Sequence, residues 1–182
     1  MGVAMTERDE VSMFVRAGDD TSILPGSSLY SEIEALLYRE AELMDSHSFD
    51  AWLGLWHPDG LYWVPSNGED IDPRESVSII YERYPQIEDR IFRLKDKRMH
   101  SQSPKSRLIR IVSNITASAS GPADILAFST FILGEVRGAE QQSLFGRAAH
   151  RLRREADGLR ILGKKVYLIA NDSPMRNVTF LL

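Results

Sequence analysis

The fold prediction rests on residues 107–170, RLIRIVSNITASASGPADILAFSTFILGEVRGAEQQSLFGRAAHRLRREADGLRILGKKVYLIA. This stretch contains four long segments rich in apolar residues, at about 107–118, 123–137, 141–155 and 159–170. Short turn signals separate them: Gly121–Pro122, residues 138–140 and Asp157–Gly158, the last being a typical two-residue hairpin turn. Long strands that follow one another through tight turns predict an antiparallel meander, which we expect to be strongly twisted and curved.

Both faces of this predicted sheet carry apolar side chains. The second segment has Ile125, Ala127, Phe131 and Leu133 on one face and Leu126, Phe128, Ile132 and Val136 on the other. An antiparallel sheet with one face in water should alternate apolar and polar residues, so we expect both faces to be covered. N-terminal helices account for one face. An oligomer interface is the leading explanation for the other, because exposed apolar surface forgoes about 25 cal/mol per Å². Burial by the N-terminal arm is the alternative.

Two helices are predicted upstream of the sheet. The first has apolar residues three and four positions apart, with Ser31 and Glu34 forming a capping box: Ile33, Leu36, Leu37, Ala41 and Met44. The second is short, is capped by Ser48 and has this apolar face: Phe49, Trp52, Leu53 and Trp56. The turn-forming residues 57–60 should end it.

The order of the elements predicts the fold class. Short strands at 61–64 and 77–81 and a helix over 86–97 connect the first two helices to the long strands. Helices followed by a long antiparallel sheet predict an α+β fold, with the helices packed on one face of the sheet. We expect a single domain over residues 28–182. Residues 1–27 are rich in charge and glycine and predict an N-terminal arm that is loosely ordered or bound to a partner.

Composition excludes several classes of site. The chain has no cysteine, which excludes a disulfide framework, a zinc–thiolate site, an iron–sulfur cluster and a cysteine nucleophile. A net charge of −4 does not indicate nucleic-acid binding. No apolar stretch approaches the roughly 20 residues of a membrane span, and the first 27 residues lack the apolar core of a signal peptide. We therefore expect a soluble cytoplasmic chain that binds neither nucleic acid nor membrane.

Candidate catalytic residues are few. The chain has no glycine-rich phosphate loop and no nucleophile elbow, and its four histidines lack metal-ligand spacing. His150 should point inward from the third long strand, and Asp45 is its one candidate acid–base partner. For His150, a hydrogen-bonded position in the core is the preferred interpretation. Trp52, Trp56 and Tyr62 are likewise interpreted as core residues. We predict no catalytic, cofactor-binding or metal-binding residue in this chain.

A candidate subunit interface lies on the third long strand and its neighbour. Its predicted residues are Arg147, Arg151, Arg153, Phe128 and Ile132. The three arginines alternate along one face of a strand whose neighbours are apolar, which suits a contact with carboxylates of a partner. An ordinary solvated face remains the open alternative.

Several short segments, taken in order, carry a family resemblance. They are residues 38–41 (YREA) with Asp45, 49–53 (FDAWL), 59–65 (DGLYWVP), 79–81 (IIY), 88–94 (EDRIFRL), 107–115, 146–147, 150–153 (HRLR), 163–168 and 171–172. The ordered set resembles the small (beta) subunits of aromatic ring-hydroxylating dioxygenases from about residue 30 to the C-terminus. Residues 79–94 look most similar to members that act on benzoate-type carboxylates.

The resemblance implies both a fold and a role. The implied fold is a cone-shaped, nuclear-transport-factor-2-like (cystatin-like) domain, in which a long curved sheet wraps against N-terminal helices. The implied role is a mainly structural, non-catalytic subunit without a cofactor of its own. It would join a large (alpha) subunit that carries a Rieske iron–sulfur cluster and a mononuclear iron. The family's hexamer has three large and three small subunits, with contacts between small subunits, and inserts both atoms of dioxygen into aromatic rings for their degradation.

Two other functions stay open from the sequence. The same cone fold hosts stand-alone dehydratases and isomerases, and fold alone does not decide between these roles. A solvent-open pocket lined by His150 and an inward carboxylate would favour an enzyme. An interior filled by Trp52, Trp56 and Tyr62 would count against one. A pure binding module is the third possibility.

Overall fold

The structure is a computed structural model that describes residues 11–18, 20–68, 72–73, 75–96, 104–173 and 178–182. Its helices are α1 (Ser28–Asp45), α2 (Phe49–Leu53) and α3 (Tyr84–Lys95). Its strands are β1 (Thr21–Ile23), β2 (Trp56–Pro65), β3 (Ser78–Arg83), β4 (Arg107–Ser120), β5 (Asp124–Arg137), β6 (Glu140–Glu155) and β7 (Gly158–Leu168). The four long strands and their turns confirm the predicted meander.

All seven of these strands join one sheet in the order β1-β4-β5-β6-β7-β2-β3. Neighbouring strands are antiparallel except for β2 and β7, which run parallel. Irregularities interrupt the β4–β5 pairing between Ser113 and Thr116 and the β6–β7 pairing between Arg151 and Leu152. Asn114, inside the first of these, has a positive φ of 54°, which asparagine tolerates better than most residues. Such bulges bend long strands, so the sheet curves around the helices on its inner face.

The predicted turn over residues 57–60 is wrong, because β2 begins at Trp56 and continues through this segment. β2 pairs with β7 at Trp56, and the pairing resumes at Leu61, so the turn-forming residues form an irregularity inside the strand. Gly60 is required there. A Cβ on Gly60 would lie 2.8 Å from the Trp56 ring and 2.9 Å from the His57 carbonyl oxygen.

The predicted capping box at Ser31 and Glu34 is also wrong. α1 begins at Ser28, and the Ser27 hydroxyl accepts a hydrogen bond from the Tyr30 amide at 3.2 Å. A turn at Gly26, with a φ of 87°, directs the chain into the helix one turn earlier than predicted.

The sheet's inner face packs on the helices, as predicted. α1 buries Ile33, Leu37, Ala41 and Met44 against it. Trp52, Trp56 and Tyr62 fill one end of this interior, with ring centroids 5.2 to 6.0 Å apart and edge-on or tilted contacts.

The outer face is covered in part by the chain's own N-terminal residues. Met13 and Phe14 are buried there against Trp63 and Leu162, and β1 pairs with β4. For this part of the face, the alternative interpretation, burial by the N-terminal arm, is the one that the structure supports. Ile111, by contrast, lies on an uncovered part of the same face.

Close packing at Gly146 gives a stability prediction. A Cβ at this position would lie 2.6 Å from the Phe131 ring and 2.8 Å from the Tyr167 carbonyl oxygen, which cannot move without the backbone. We expect Gly146→Ala to lower the free energy of unfolding by about 1–3 kcal/mol, as measured by urea denaturation.

Gly18→Ala is the matched control, because Gly18 has no atom within 4 Å of the added Cβ and no positive φ. Its stability should stay within about 0.5 kcal/mol of that of the unaltered chain. Equal stability of the two variants would contradict the packing argument.

Candidate functional site

A cluster of charged side chains lies buried between α1 and the sheet. The Glu40 carboxylate contacts His150 Nε2 at 2.9 Å and accepts a hydrogen bond from Lys164 Nζ at 2.8 Å. Trp52 Nε1 donates to the same carboxylate at 3.3 Å. Each of the side chains of Glu40, His150 and Lys164 is 3% exposed. We call Glu40, His150 and Lys164 the buried triad.

The helix period and the sheet register bring the triad together. Glu40 lies one turn from Met44 along α1 and next to Ala41, so it faces the sheet. His150 on β6 is the direct cross-strand partner of Lys164 on β7, so both side chains point to the same inner face. A single inward carboxylate on the helix therefore meets two basic side chains on the sheet.

The predicted pairing of His150 with Asp45 is wrong. Asp45 ends α1 and binds Arg110 instead, through the Arg110 backbone amide at 2.7 Å and through its guanidinium group. Glu40 is absent from the predicted site residues because its charged neighbours, such as Arg39 and Glu42, are typical of the exposed face of a helix. The available signal was its position four residues from both Leu36 and Met44.

Electrostatics within the triad favour an ionised Glu40. Burial raises the pKa of the Glu40 carboxyl, but Lys164 and His150 outweigh burial and hold that pKa well below its usual range. Burial lowers the pKa of the Lys164 ammonium, and the Glu40 carboxylate opposes that shift. The carboxylate is thus the group that keeps two basic side chains inside the fold.

Residues 180–182 fill part of the interior next to Tyr62. Phe180, Leu181 and Leu182 are all buried. The Tyr62 hydroxyl donates to the Leu182 carbonyl at 2.8 Å and accepts from the Leu182 amide at 2.8 Å, and Arg110 donates to the Leu181 carbonyl. Burial raises the pKa of the Tyr62 hydroxyl, so it stays protonated as a donor.

The space left beside the triad is small. A cavity of about 20 Å³ remains between Glu40, His150, Lys164, Arg110 and Leu182. That is room for about one water molecule, because a buried water needs roughly 10–15 Å³ measured in this way. The triad therefore has acid–base groups but no room for an aromatic substrate in this conformation.

Each predicted interface residue lies on the outer face of the sheet. Arg151 and Arg153 bind Asp124 of the same chain, at 3.3 and 2.8 Å. Arg147 lies over the Tyr167 ring at 5.0 Å. Phe128 is half-buried under Arg16, whose guanidinium carbon is 4.8 Å from the ring centroid, and Ile132 is exposed. The structure thus places these side chains in two neighbourhoods rather than one continuous arginine face.

The other histidines lie apart from the triad. His47 follows α1 and contacts the Ser106 carbonyl through Nε2 at 2.9 Å. Burial lowers the pKa of the His47 imidazole. His57 lies 3.4 Å from Glu155, and His100 is outside the described residues.

The donor set does not fit an iron centre. A Rieske cluster needs two cysteine ligands, and the sequence contains none. Within the described ranges, no group of three or more histidine, cysteine or acidic residues could hold a metal ion. In the same ranges, no helix is long and apolar enough to cross a membrane.

The triad predicts a large effect of Glu40→Gln. The substitution leaves Lys164 buried without its counter-charge, so we expect the free energy of unfolding at pH 7 to fall by about 3–5 kcal/mol. The matched control is Glu42→Gln, because Glu42 is an exposed partner of Arg39 on the same helix. That control should change stability by less than about 1 kcal/mol.

The Glu40→Gln effect should also depend on pH. The folded pKa of Glu40 is lowered, so its contribution to stability is complete above the unfolded value of about 4.3 and is lost as the pH falls below it. Urea denaturation between pH 3 and pH 7 should show the two proteins converging at the acid end. A difference independent of pH would contradict an ionised Glu40.

Comparisons with known proteins identify the family of this chain. A family model described as ring hydroxylating beta subunit matches residues 39–173. The small oxygenase component of the p-cumate 2,3-dioxygenase system of Pseudomonas putida is 34% identical over 140 residues, which are 76% of this chain and 78% of that protein.

Two solved structures are similar to this one. The beta subunit of the benzoate 1,2-dioxygenase from Burkholderia mallei superposes with a TM-score of 0.66 at 28% identity, covering 76% of this chain and 89% of that chain. An NTF2-like protein with a cystatin-like fold from Novosphingobium aromaticivorans superposes with a TM-score of 0.57 at 18% identity, covering 76% of this chain and 80% of that chain. The second likeness concerns the fold alone.

These findings confirm the predicted fold class and the predicted family. The α+β architecture, the long sheet and the N-terminal helices are those of the cystatin-like fold. The family match covers most of the chain, including the whole of β2 to β7 and the C-terminal part of α1. The chain belongs to the ring-hydroxylating beta subunit family, the small subunits of aromatic ring-hydroxylating dioxygenases.

Proposed function

We propose that this chain is a structural, non-catalytic small subunit of a Rieske-type aromatic ring-hydroxylating dioxygenase. Its role is to assemble with a large oxygenase subunit, and the assembly inserts both atoms of dioxygen into an aromatic ring. The single observation that carries a structural role is the filled interior. Aromatic rings and residues 180–182 occupy it, joined by the hydrogen bonds between Tyr62 and Leu182, and a cavity of about 20 Å³ is left beside the triad.

The proposed assembly contains three large and three small subunits in the cytoplasm, with contacts between the small subunits. The Rieske cluster and the mononuclear iron belong to the large subunit, since this chain lacks the cysteines that a Rieske cluster needs. Exposed apolar side chains on the outer face of the sheet support a subunit that is completed by partners.

The proposed division of labour within the chain follows the sequence prediction. Residues 28–182 form the cone domain, and residues 1–27 form an arm that is loosely ordered or bound to a partner. Of the described part of the arm, Met13 and Phe14 pack on the domain itself, against Trp63. The predicted interface residues Arg147, Arg151, Arg153, Phe128 and Ile132 remain proposed contacts.

Co-expression tests the proposed function. The small subunit should co-purify with the large oxygenase subunit encoded beside it, in a complex far heavier than the 20.6 kDa of the single chain. Light scattering after size exclusion gives the stoichiometry, for which we expect three of each chain. A small subunit that stays monomeric in the presence of that large subunit would contradict the proposal.

The buried triad supports one competing function, acid–base catalysis by this chain alone. His150→Gln separates the two roles, because a general acid–base residue contributes about 10²–10⁴-fold to a rate. For a structural role, we expect the assembled oxygenase to keep its kcat within about threefold while the thermal midpoint of the small subunit falls. Dehydratase or isomerase turnover by the isolated small subunit, falling about a hundredfold in His150→Gln, would favour the competing function.

A further inference from the structure

One end of the outer sheet face carries a continuous row of exposed apolar side chains. Ile111 on β4 pairs with Ile132 on β5, which pairs with Phe145 on β6. The amide of Ile169, just after β7, donates to the Phe145 carbonyl at 3.0 Å. These four side chains, which are 61%, 44%, 52% and 63% exposed in sequence order, form the apolar row. Ile109 extends it along β4.

The apolar row is a concentration of exposed apolar surface and not a scatter of single residues. Half of the large apolar side chains that are exposed in the described part of the chain lie in it or beside it, as Ile109 does. Soluble chains seldom leave a contiguous patch of this kind in water, and such patches mark contacts with other proteins. The described residues 11–18 of the N-terminal arm cover the opposite end of this face at Phe14.

Charges around the apolar row point to the chemistry of its partner. Arg107 lies two residues before Ile109 on β4, and Arg147 lies two residues after Phe145 on β6, so alternation puts both on the outer face. Among the described residues on the outer faces of β4 to β7, the carboxylates are Asp124 and Glu155. Both lie at the far end, where Asp124 is bound to two arginines and Glu155 lies 3.4 Å from His57. The border of the row is therefore cationic.

This charge pattern disfavours a face-to-face contact between two copies of the chain. Such a contact would bring the arginine borders of both copies together, and like charges at an interface cost several kcal/mol. A partner with an apolar centre and an acidic border complements the row in both respects.

We propose that the apolar row is the docking surface for the large oxygenase subunit, and that the matching surface of that subunit is apolar with an acidic border. This inference rests on the proposed function. It assigns the contact to Ile111, Ile132, Phe145 and Ile169, with Arg147 at the rim. Arg151 and Arg153, which are held by Asp124, lie outside it.

Phe145→Ser tests the proposal, with Phe92→Ser as its matched control. Phe92 is 73% exposed on α3, so the control removes the same side chain from a different surface. Affinity for the large subunit encoded beside this chain is measured by surface plasmon resonance. We expect Phe145→Ser to bind at least about tenfold more weakly and Phe92→Ser to bind as the unaltered chain does.

Two further variants complete the design. Ile111→Ser should weaken binding as Phe145→Ser does, which guards against a folding defect peculiar to one position; circular dichroism melting checks each variant. Arg147→Glu should weaken binding mainly by slowing association at low salt, because a rim charge steers the encounter.

The outcomes separate this inference from the proposed function. If Phe145→Ser and Ile111→Ser bind the large subunit as tightly as the unaltered chain does, the assignment of the apolar row as the docking surface is overturned. The proposed function then still stands. The proposal is also overturned if the variants lose self-association of the small subunit but keep their affinity for the large subunit. In that case the apolar row would bind a second copy of this chain. Failure of the unaltered chain to bind the large subunit contradicts the proposed function itself.

Discussion

The ionised Glu40 carboxylate is the interaction on which the rest of the interior depends. It is the point where α1 meets two neighbouring long strands, through His150 on β6 and Lys164 on β7. The Lys164 ammonium in an apolar core would be unstable without a counter-charge, because burial of an unpaired ion costs several kcal/mol. The helix must therefore present this carboxylate at the right height and rotation. Sliding the helix by one residue would turn Glu40 away from both bases.

The curvature of the sheet allows its inner face to enclose this cluster. The irregularities at Ser113–Thr116 and Arg151–Leu152 bend the long strands, so that the inner face is concave towards α1. The rings of Trp52, Trp56 and Tyr62 fill part of the space that the concave face encloses. Next to them, residues 181 and 182 present backbone groups to Arg110 and Tyr62. These backbone groups are thereby satisfied within the chain itself, and the interior is nearly full.

The long strands could be predicted from the sequence because their signals are local. Alternation of side chains and an Asp157–Gly158 turn fix a strand and its end without reference to the rest of the fold. Features that depend on distant partners could not be predicted in this way. Glu40 has the sequence environment of a surface glutamate until His150 and Lys164 are brought 2.9 and 2.8 Å from it. Residues 57–60 have turn chemistry, yet pairing with β7 keeps them inside a strand.

The outer face shows where sequence patterning was informative and where it was ambiguous. Apolar residues on both sides of β5 correctly indicated that part of this face is buried. They did not indicate whether the same chain or a partner chain buries it. In the structure, the described part of the chain's own arm covers one end of the face, and the other end is exposed. Phe128 lies at the end occupied by the chain's own arm, and Ile132, four residues along the same strand, lies at the end that the chain leaves exposed. A full interior and an incomplete exterior are opposite to the arrangement of a pocket enzyme, in which the interior is the unfilled part. For this chain, the surface that calls for a complementary molecule is the outer face of its sheet.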